Sequence, residues 1–282
     1  MPEGHTIHRL AARHAELFGG RPVRVSSPQG RFAAGAELIS GGVLRRTEAY
    51  GKHLLHHYDD QGDDDRGVGH TLHVHLGLYG VFTDGSGTAP EPVGQVRLRL
   101  ESAEHWLDLR GPAACELLDP PEVEALKKRL GADPLRDDAD PEAAYARIRR
   151  SSTAIAALLM DQKTVAGCGL VYACEVLFRA GIEPTRPGTQ ITPHEWAGLW
   201  KDLQELMREG VRRGRIDTVH ATHLPEAMGR APRVDRHGGE VYVYRRAGQP
   251  CLLCGTEVRR GTLAARNSYW CPRCQVGTAA GS

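Results

Sequence analysis

Two Cys-x-x-Cys pairs near the C-terminal end constrain this chain more than any other feature. They are Cys251-Leu252-Leu253-Cys254 and Cys271-Pro272-Arg273-Cys274, separated by residues 255–270, sixteen in all. That spacing predicts a four-thiolate structural zinc site. Four thiolates complete the tetrahedron, so the metal keeps no open position for catalysis. A redox dithiol is the other chemistry of such a pair, but redox motifs seldom come as two. Between the pairs, 256–260 and 262–270 read as two strands turning at Gly261. The hairpin would hold Arg259, Arg260 and Arg266 in place.

The other cysteines, Cys115, Cys168 and Cys174, are spaced like buried packing residues. Seven cysteines, an odd number, argue against a disulfide framework. The first residues lack a signal peptide's apolar run, and no stretch of about 18 apolar residues exists to span a membrane. We therefore expect a cytoplasmic protein. A length of 282 residues predicts two domains. The net charge of +1 does not advertise a nucleic-acid partner, but its distribution is uneven. Acids crowd at Asp59, Asp60, Asp63, Asp64 and Asp65, and again at Asp133, Asp137, Asp138 and Asp140. From Arg208 to Arg273 there are thirteen Arg against six Asp or Glu. Basic charge gathered near one end offers either a phosphate-binding face or an ordinary solvated surface.

At the other end stands Pro2-Glu3-Gly4. Residue 2 is small enough for Met1 to be removed, which would leave Pro2 as a free secondary amine beside a carboxylate. An α-amino group has a pKa of about 7.7–8.0 against about 10.4 for lysine, so far more of it is neutral at pH 7. Such an amine can attack a carbonyl-like carbon and form a Schiff base. The bland alternative is that Pro-Glu is simply how the chain starts.

Residues 6–18 have a helical period, with Thr6 as cap and Gly19-Gly20 as stop. From Arg21 to about Leu118 the period is two, with Gly-rich or acidic turns between runs, which predicts an antiparallel β-sandwich. The acidic stretch 59–69 reads as a mobile loop. Lys52 opens an apolar strand over 53–58. Leu78 and Tyr79 sit in a short turn after a strand over 70–76; such residues are either wedges into a base stack or buried under their loop. Arg110, in Asp108-Leu109-Arg110-Gly111, is ambiguous in the same way. Pro120-Pro121, a helix over 122–130 and an Asp/Pro-rich stretch to 140 mark the domain junction. Helices follow over 141–150, 152–160, 168–179 and 193–212. The middle pair is joined by a polar, Gly-bearing connection around Lys163, a geometry able to aim backbone N–H groups at a phosphate. Residues 185–192 and 213–245 read as loop.

Taken together and in this order, Pro2-Glu3-Gly4, Lys52, the stretch from Leu158 to Gly167 and the Cys-x-x-Cys hairpin resemble the Fpg/Nei DNA glycosylases, the formamidopyrimidine-DNA glycosylases and endonucleases VIII. The resemblance covers nearly the whole chain. It implies an α+β fold in three parts: an N-terminal β-sandwich with its helix over 1–131, a helix–two-turns–helix domain over 132–245 and a zinc hairpin over 246–282. It implies one structural zinc and a monomer acting on damaged DNA in the nucleoid. By the same resemblance Pro2 is the nucleophile, Glu3 the acid that protonates the sugar ring oxygen, and Lys52 an aid to β-elimination. Arg266 is the finger arginine on the lesion phosphates, and Lys163 and Arg110 are DNA contacts. Leu78 and Tyr79 fill the gap left by a flipped base. The chain departs from the family at four positions: Leu170 stands for an Asn, Ala156 for a Lys, Thr6 for a Glu and Gly77 for a Gln. Pro-Glu-Gly, the paired wedges and Ala156 favour the endonuclease VIII branch, acting on oxidised pyrimidines. The formamidopyrimidine and 8-oxoguanine branch is the close alternative. A zinc protein that recognises damaged DNA without cleaving it is the reading from another class.

Overall fold

The computed structural model describes residues 2–59, 69–235, 239–264 and 266–276. Met1, with the question of its removal, and most of the acidic 59–69 stretch lie outside the described residues. The chain divides into two compact units, Met1–Arg129 and Leu130–Ser282.

The first unit opens with α1 (Gly4–Phe18), followed by β1 (Arg24–Ser26) and α2 (Ala33–Ile39). Then come β2 (Leu44–Tyr50), β3 (His53–Tyr58), β4 (Thr71–His75) and β5 (Val81–Ser86). The unit ends with β6 (Val96–Glu101), β7 (His105–Arg110), β8 (Ala114–Leu118) and α3 (Pro120–Arg129). The strands form two four-stranded antiparallel sheets, ordered β1-β6-β7-β5 and β2-β3-β4-β8. The period-two pattern is the cause. Leu98, Leu100, Leu107 and Leu109 from one sheet, and Leu54, Leu72 and Val74 from the other, join Ile7, Leu17 and Phe18 of α1 in one core.

The cap of α1 differs from expectation. Glu3, not Thr6, is the N-cap residue, with an extended backbone at φ −119 and ψ 178. The Thr6 amide donates to the Glu3 carbonyl at 2.9 Å, so Thr6 already lies in the first turn. α2 also interrupts a region expected to be all strand. It buries only Ala36 and Ile39, too few apolar positions to show a helical period.

The second unit is helical, with α4 (Pro141–Ile148), α5 (Ile155–Met160), α6 (Leu170–Arg179) and α7 (Pro193–Arg213). The helix starts follow their caps. The Asp140 side chain accepts from the Ala143 amide, and Thr192 and Glu195 form a capping box. α7 stops at Gly214, whose φ of 71 suits glycine. α6 is apolar on most sides, burying eight of its ten residues from Val171 to Phe178, and the core gathers round it with Trp196, Leu199 and Leu203 of α7. A two-stranded sheet closes the unit, β9 (Arg259–Leu263) against β10 (Arg266–Trp270). Its turn lies beyond Leu263, not at Gly261. Gly261 is paired with Ser268 inside the ladder, where a Cβ would sit 3.2 Å from the Trp270 ring.

Candidate functional site

Pro2 and Glu3 lead directly into α1, and Glu3 is fully buried. Two side-chain bonds fix that helix on the sheet. Thr47 Oγ1 of β2 donates to the Ala11 carbonyl at 2.6 Å, and His14 Nδ1 meets His56 Nε2 of β3 at 3.0 Å. Burial holds His14 near pKa 3 and His56 well below the usual imidazole value, so both rings are neutral. Lys52 lies in the tight turn between β2 and β3, where Gly51 has φ 57 and Tyr50 pairs with His53. The two strands that anchor the helix of Pro2 and Glu3 thus also carry Lys52.

A histidine chain runs beside Lys52. His53 Nδ1 meets His73 Nε2 at 2.9 Å, and His73 Nδ1 meets Glu116 Oε1 at 3.0 Å. Burial lowers His53 to about 3, with the charges of His73, His75, Arg129 and Lys52 acting in the same direction. His73 and His75 are lowered too, chiefly by burial. No local motif in the sequence marks this chain. Its signal, His at 53, 73 and 75, becomes a cluster only when the register pairs His53 with His75 and His73 with Glu116.

β4 runs from that cluster into the turn of Leu78 and Tyr79. The Gly77 amide donates to His75 Nδ1 at 3.0 Å, and the Gly80 amide to the Leu76 carbonyl at 2.9 Å. At Gly77, φ is 64 and a Cβ would stand 2.8 Å from the Ala113 Cβ. Glycine there permits a closer turn than the family's Gln would. The turn holds its tip in solvent, with Leu78 63% and Tyr79 83% exposed. Water contact on two adjacent large apolar side chains is costly for folding and useful for binding.

Arg110 is engaged internally. It donates from Nε to the Val93 carbonyl at 3.0 Å, from Nη1 to Thr83 Oγ1 at 2.9 Å and from Nη2 to Asp108 Oδ2 at 2.9 Å. Asp108 also takes both arms of buried Arg99, at 2.7 and 2.9 Å.

In the second unit Lys163 sits exposed in the connection between α5 and α6. Asp161 and Gln162 shape that connection. Asp161 Oδ1 accepts from the Lys163 amide at 3.1 Å, and Gln162 Oε1 from the Gly167 amide at 2.9 Å. Gln162 Nε2 donates to the Met160 and Cys168 carbonyls at 3.0 and 2.8 Å. α6 then begins at Leu170, with Gly169 as an N-cap that supplies no side-chain bond. The start of α6 is therefore the kind of helix end that attracts anions.

The sulfurs of Cys251, Cys254, Cys271 and Cys274 all lie within 4.8 Å of one another. Cys251 and Cys274 are 3.8 Å apart, and Cys254 and Cys271 3.5 Å. Zn–S bonds of about 2.3 Å in a tetrahedron require S···S distances of about 3.8 Å, so these two pairs lie close to the zinc spacing and the four thiols together are a fitting donor set. Gln275 ties this knuckle to the helical core, with Oε1 accepting from the Cys271 amide at 3.0 Å and Nε2 donating to the Ile182 carbonyl at 2.9 Å. Arg266 stands exposed at the start of β10.

Much of the basic excess of 208–273 is spent locally. Arg212 and Arg213 pair with Glu209, Arg215 with Asp217, Arg230 with Glu240 and Arg233 with Asp235.

One buried carboxylate was not anticipated. Glu175 of α6 is fully buried and takes four donors: the Thr218 hydroxyl at 2.6 Å and the amides of Tyr242, Val243 and Tyr244 at 2.7, 2.9 and 2.8 Å. It fixes the segment that leads into the first zinc cysteines. A lone Glu in an apolar helix was its only sequence signal.

Three family profiles match the chain. Residues 1–115 match the formamidopyrimidine-DNA glycosylase N-terminal domain, 130–221 the formamidopyrimidine-DNA glycosylase H2TH domain, and 248–276 the zinc finger found in FPG and IleRS. The chain is 51% identical to Endonuclease 8 1 of Mycobacterium tuberculosis, over 98% of this chain and 100% of that protein. It is 31% identical to the formamidopyrimidine-DNA glycosylase of Methylococcus capsulatus, over 98% of each. Among solved structures, the Lactococcus lactis Fpg in complex with DNA containing an abasic site has the same fold. Its TM-score is 0.76 at 22% identity, covering 98% of this chain and 100% of that one. The β-sandwich, the helical unit and the four-cysteine hairpin are together the Fpg architecture, and the chain belongs to the Fpg/endonuclease 8 family of base-excision DNA glycosylases.

Proposed function

We propose that this glycosylase is bifunctional, removing oxidised pyrimidines from damaged DNA and then cutting the strand as an abasic-site lyase. With Met1 removed, the Pro2 nitrogen attacks C1′ of the lesion nucleotide and the base leaves. Glu3 protonates the sugar ring oxygen, the ring opens, and the C1′–N bond becomes a Schiff base. The iminium acidifies the C2′ proton. Lys52 assists its removal, which expels the 3′ phosphate; Arg266 grips the phosphates through the second elimination. Lys163 and the first turn of α6 hold the backbone, with Leu170 in place of an Asn contact. Arg110 reaches DNA by exchanging one of its three internal bonds. One structural zinc, held by Cys251, Cys254, Cys271 and Cys274, supplies no chemistry and keeps the hairpin folded. The protein acts as a cytoplasmic monomer, with 132–245 and 246–282 as separate functional segments of the second unit.

The observation that carries the substrate reading is the exposed Leu78–Tyr79 pair on a hydrogen-bonded turn. Both wedge residues are on one loop, suited to filling a gap in the stack once a base is out. Pyrimidines with a saturated 5,6 bond are non-planar and stack poorly, so they cost less to extrude. The 51% identity to a protein named endonuclease 8 supports the same branch. Single-turnover excision from matched duplexes tests it. We expect thymine glycol opposite adenine to leave faster than 8-oxoguanine opposite cytosine; the reverse order moves the protein to the other branch.

A further inference from the structure

Among the described residues two non-glycine positions have a left-handed backbone, Ala264 at φ 47 and Arg245 at φ 54. Ala264 stands at the hairpin turn, which explains it. Arg245 lies elsewhere, between four buried residues, Val241 to Tyr244, and buried Arg246. A long L side chain is disfavoured there, and such a conformation persists only where its surroundings overdetermine it. They do so here. Glu175 holds the amides of Tyr242, Val243 and Tyr244. Arg246 donates back to the Tyr242 carbonyl at 2.7 Å and on to the Pro250 carbonyl at 2.8 Å. The residue between these fixed points turns its side chain outward. Glycine would take this backbone without strain, so the fold alone gives no reason for an arginine.

The Arg245 side chain is 48% exposed. Its guanidinium carbon lies 5.4 Å from the centroid of the Tyr244 ring, and Nη1 lies 3.8 Å from Asp235 Oδ1. Tyr244 in turn stands edge-on to Tyr269 of β10 at 5.6 Å, on the strand that carries Arg266. A cation laid on an aromatic face and only loosely paired with a carboxylate is pre-oriented, with donors to spare.

We propose that Arg245 is a further phosphate-binding residue, gripping the DNA backbone at the foot of the zinc hairpin. Asp235, held more closely by Arg233 at 2.7 Å, is only a weak resting partner and is exchanged for the phosphate on binding. This rests on the DNA-glycosylase reading above.

The test uses the full zinc-loaded chain and a duplex carrying a tetrahydrofuran abasic-site analogue, with affinity measured by anisotropy from about 50 to 200 mM salt. Arg245→Gly should bind about tenfold more weakly at the low-salt end, as expected for one charge-assisted contact. Its slope of log K against log salt should be shallower by about 0.9. Its Tm should equal or exceed wild type, because the strained residue is gone. Arg245→Lys should keep the wild-type slope. A wild-type slope in Arg245→Gly overturns the assignment, and so does a lowered Tm with unchanged affinity, which would mark a structural arginine. If wild type binds and Arg266→Ala weakens it while Arg245→Gly does not, only this assignment falls. If wild type itself does not bind the duplex, the wider DNA reading falls and takes this one with it.

Discussion

Replacing Glu175 with Gln removes a negative charge without changing the shape of the side chain, and the geometry sets what that costs. In the wild type one carboxylate oxygen accepts from Val243 and Tyr244 and the other from Thr218 and Tyr242. The Gln carbonyl can keep one pair. Its NH2 then faces two donors. The Thr218 hydroxyl can rotate and accept instead, but the Tyr242 amide cannot. One buried N–H is left unmet, and charge-assisted bonds become neutral ones. Hydrogen bonds to charged groups contribute about 1.5–3 kcal/mol each, so a loss of about 3 kcal/mol is expected. Glu175→Ala strips all four donors and leaves a cavity, for about 5 kcal/mol, a large part of a domain's usual stability of about 5–15 kcal/mol. In a unit of this size the Gln variant should lower Tm by about 6–12 °C. Urea unfolding followed through Trp196 and Trp200, which belong to α7 of the same unit, reads the effect directly. Because the clamped segment leads to Cys251, DNA affinity should fall as well. A loss below about 1 kcal/mol in the Gln variant, or an Ala variant no worse than Gln, would refute this account of the carboxylate.

The buried pair His14 and His56 should make the first unit acid-labile. Both have folded pKa values below the unfolded value, His14 near 3, so the unfolded chain binds more protons below about pH 6.5. Their stability contribution is complete above that pH and declines on acidification by up to about 2.7 kcal/mol per pH unit for the two. A stability unchanged between about pH 6.5 and 5, or an equally steep decline in a His14→Leu/His56→Leu double variant, would count against it. Purified protein should hold one zinc per chain by elemental analysis, and Cys254→Ser should lose metal and DNA binding together; less than about a third of an equivalent, with binding indifferent to chelator, contradicts a structural zinc. Arg266→Ala should weaken binding to all lesions alike and flatten the salt dependence, whereas a loss confined to one lesion contradicts a phosphate role.

Periodicity made the fold readable where residues repeat. The strands over 53–58 and 96–100, and the long helix from Pro193, lie where alternation and capping residues put them. The hairpin turn was misplaced because Gly261 looks like a turn residue, yet it serves to let the Trp270 ring lie against the strand. The zinc cysteines were legible because their spacing is local. The contacts that depend on register were not: His53, His73 and Glu116 are far apart in sequence and meet only through β3, β4 and β8. Leu78 and Tyr79 show the same limit. Sequence allowed them to be wedges or buried loop anchors, and the bonds at Gly77 and Gly80 are what turn them outward.

In the proposed mechanism catalysis runs through the N-terminal amine of Pro2. Protein whose loss of Met1 has been verified by mass spectrometry should be mixed with abasic-site DNA and borohydride. We expect a covalent protein–DNA complex whose cross-linked peptide begins at Pro2, weakened trapping in Pro2→Gly, and base excision greatly reduced in Glu3→Gln. Trapping by Pro2→Thr as strong as by wild type, with the cross-link mapped to Lys52, would contradict it.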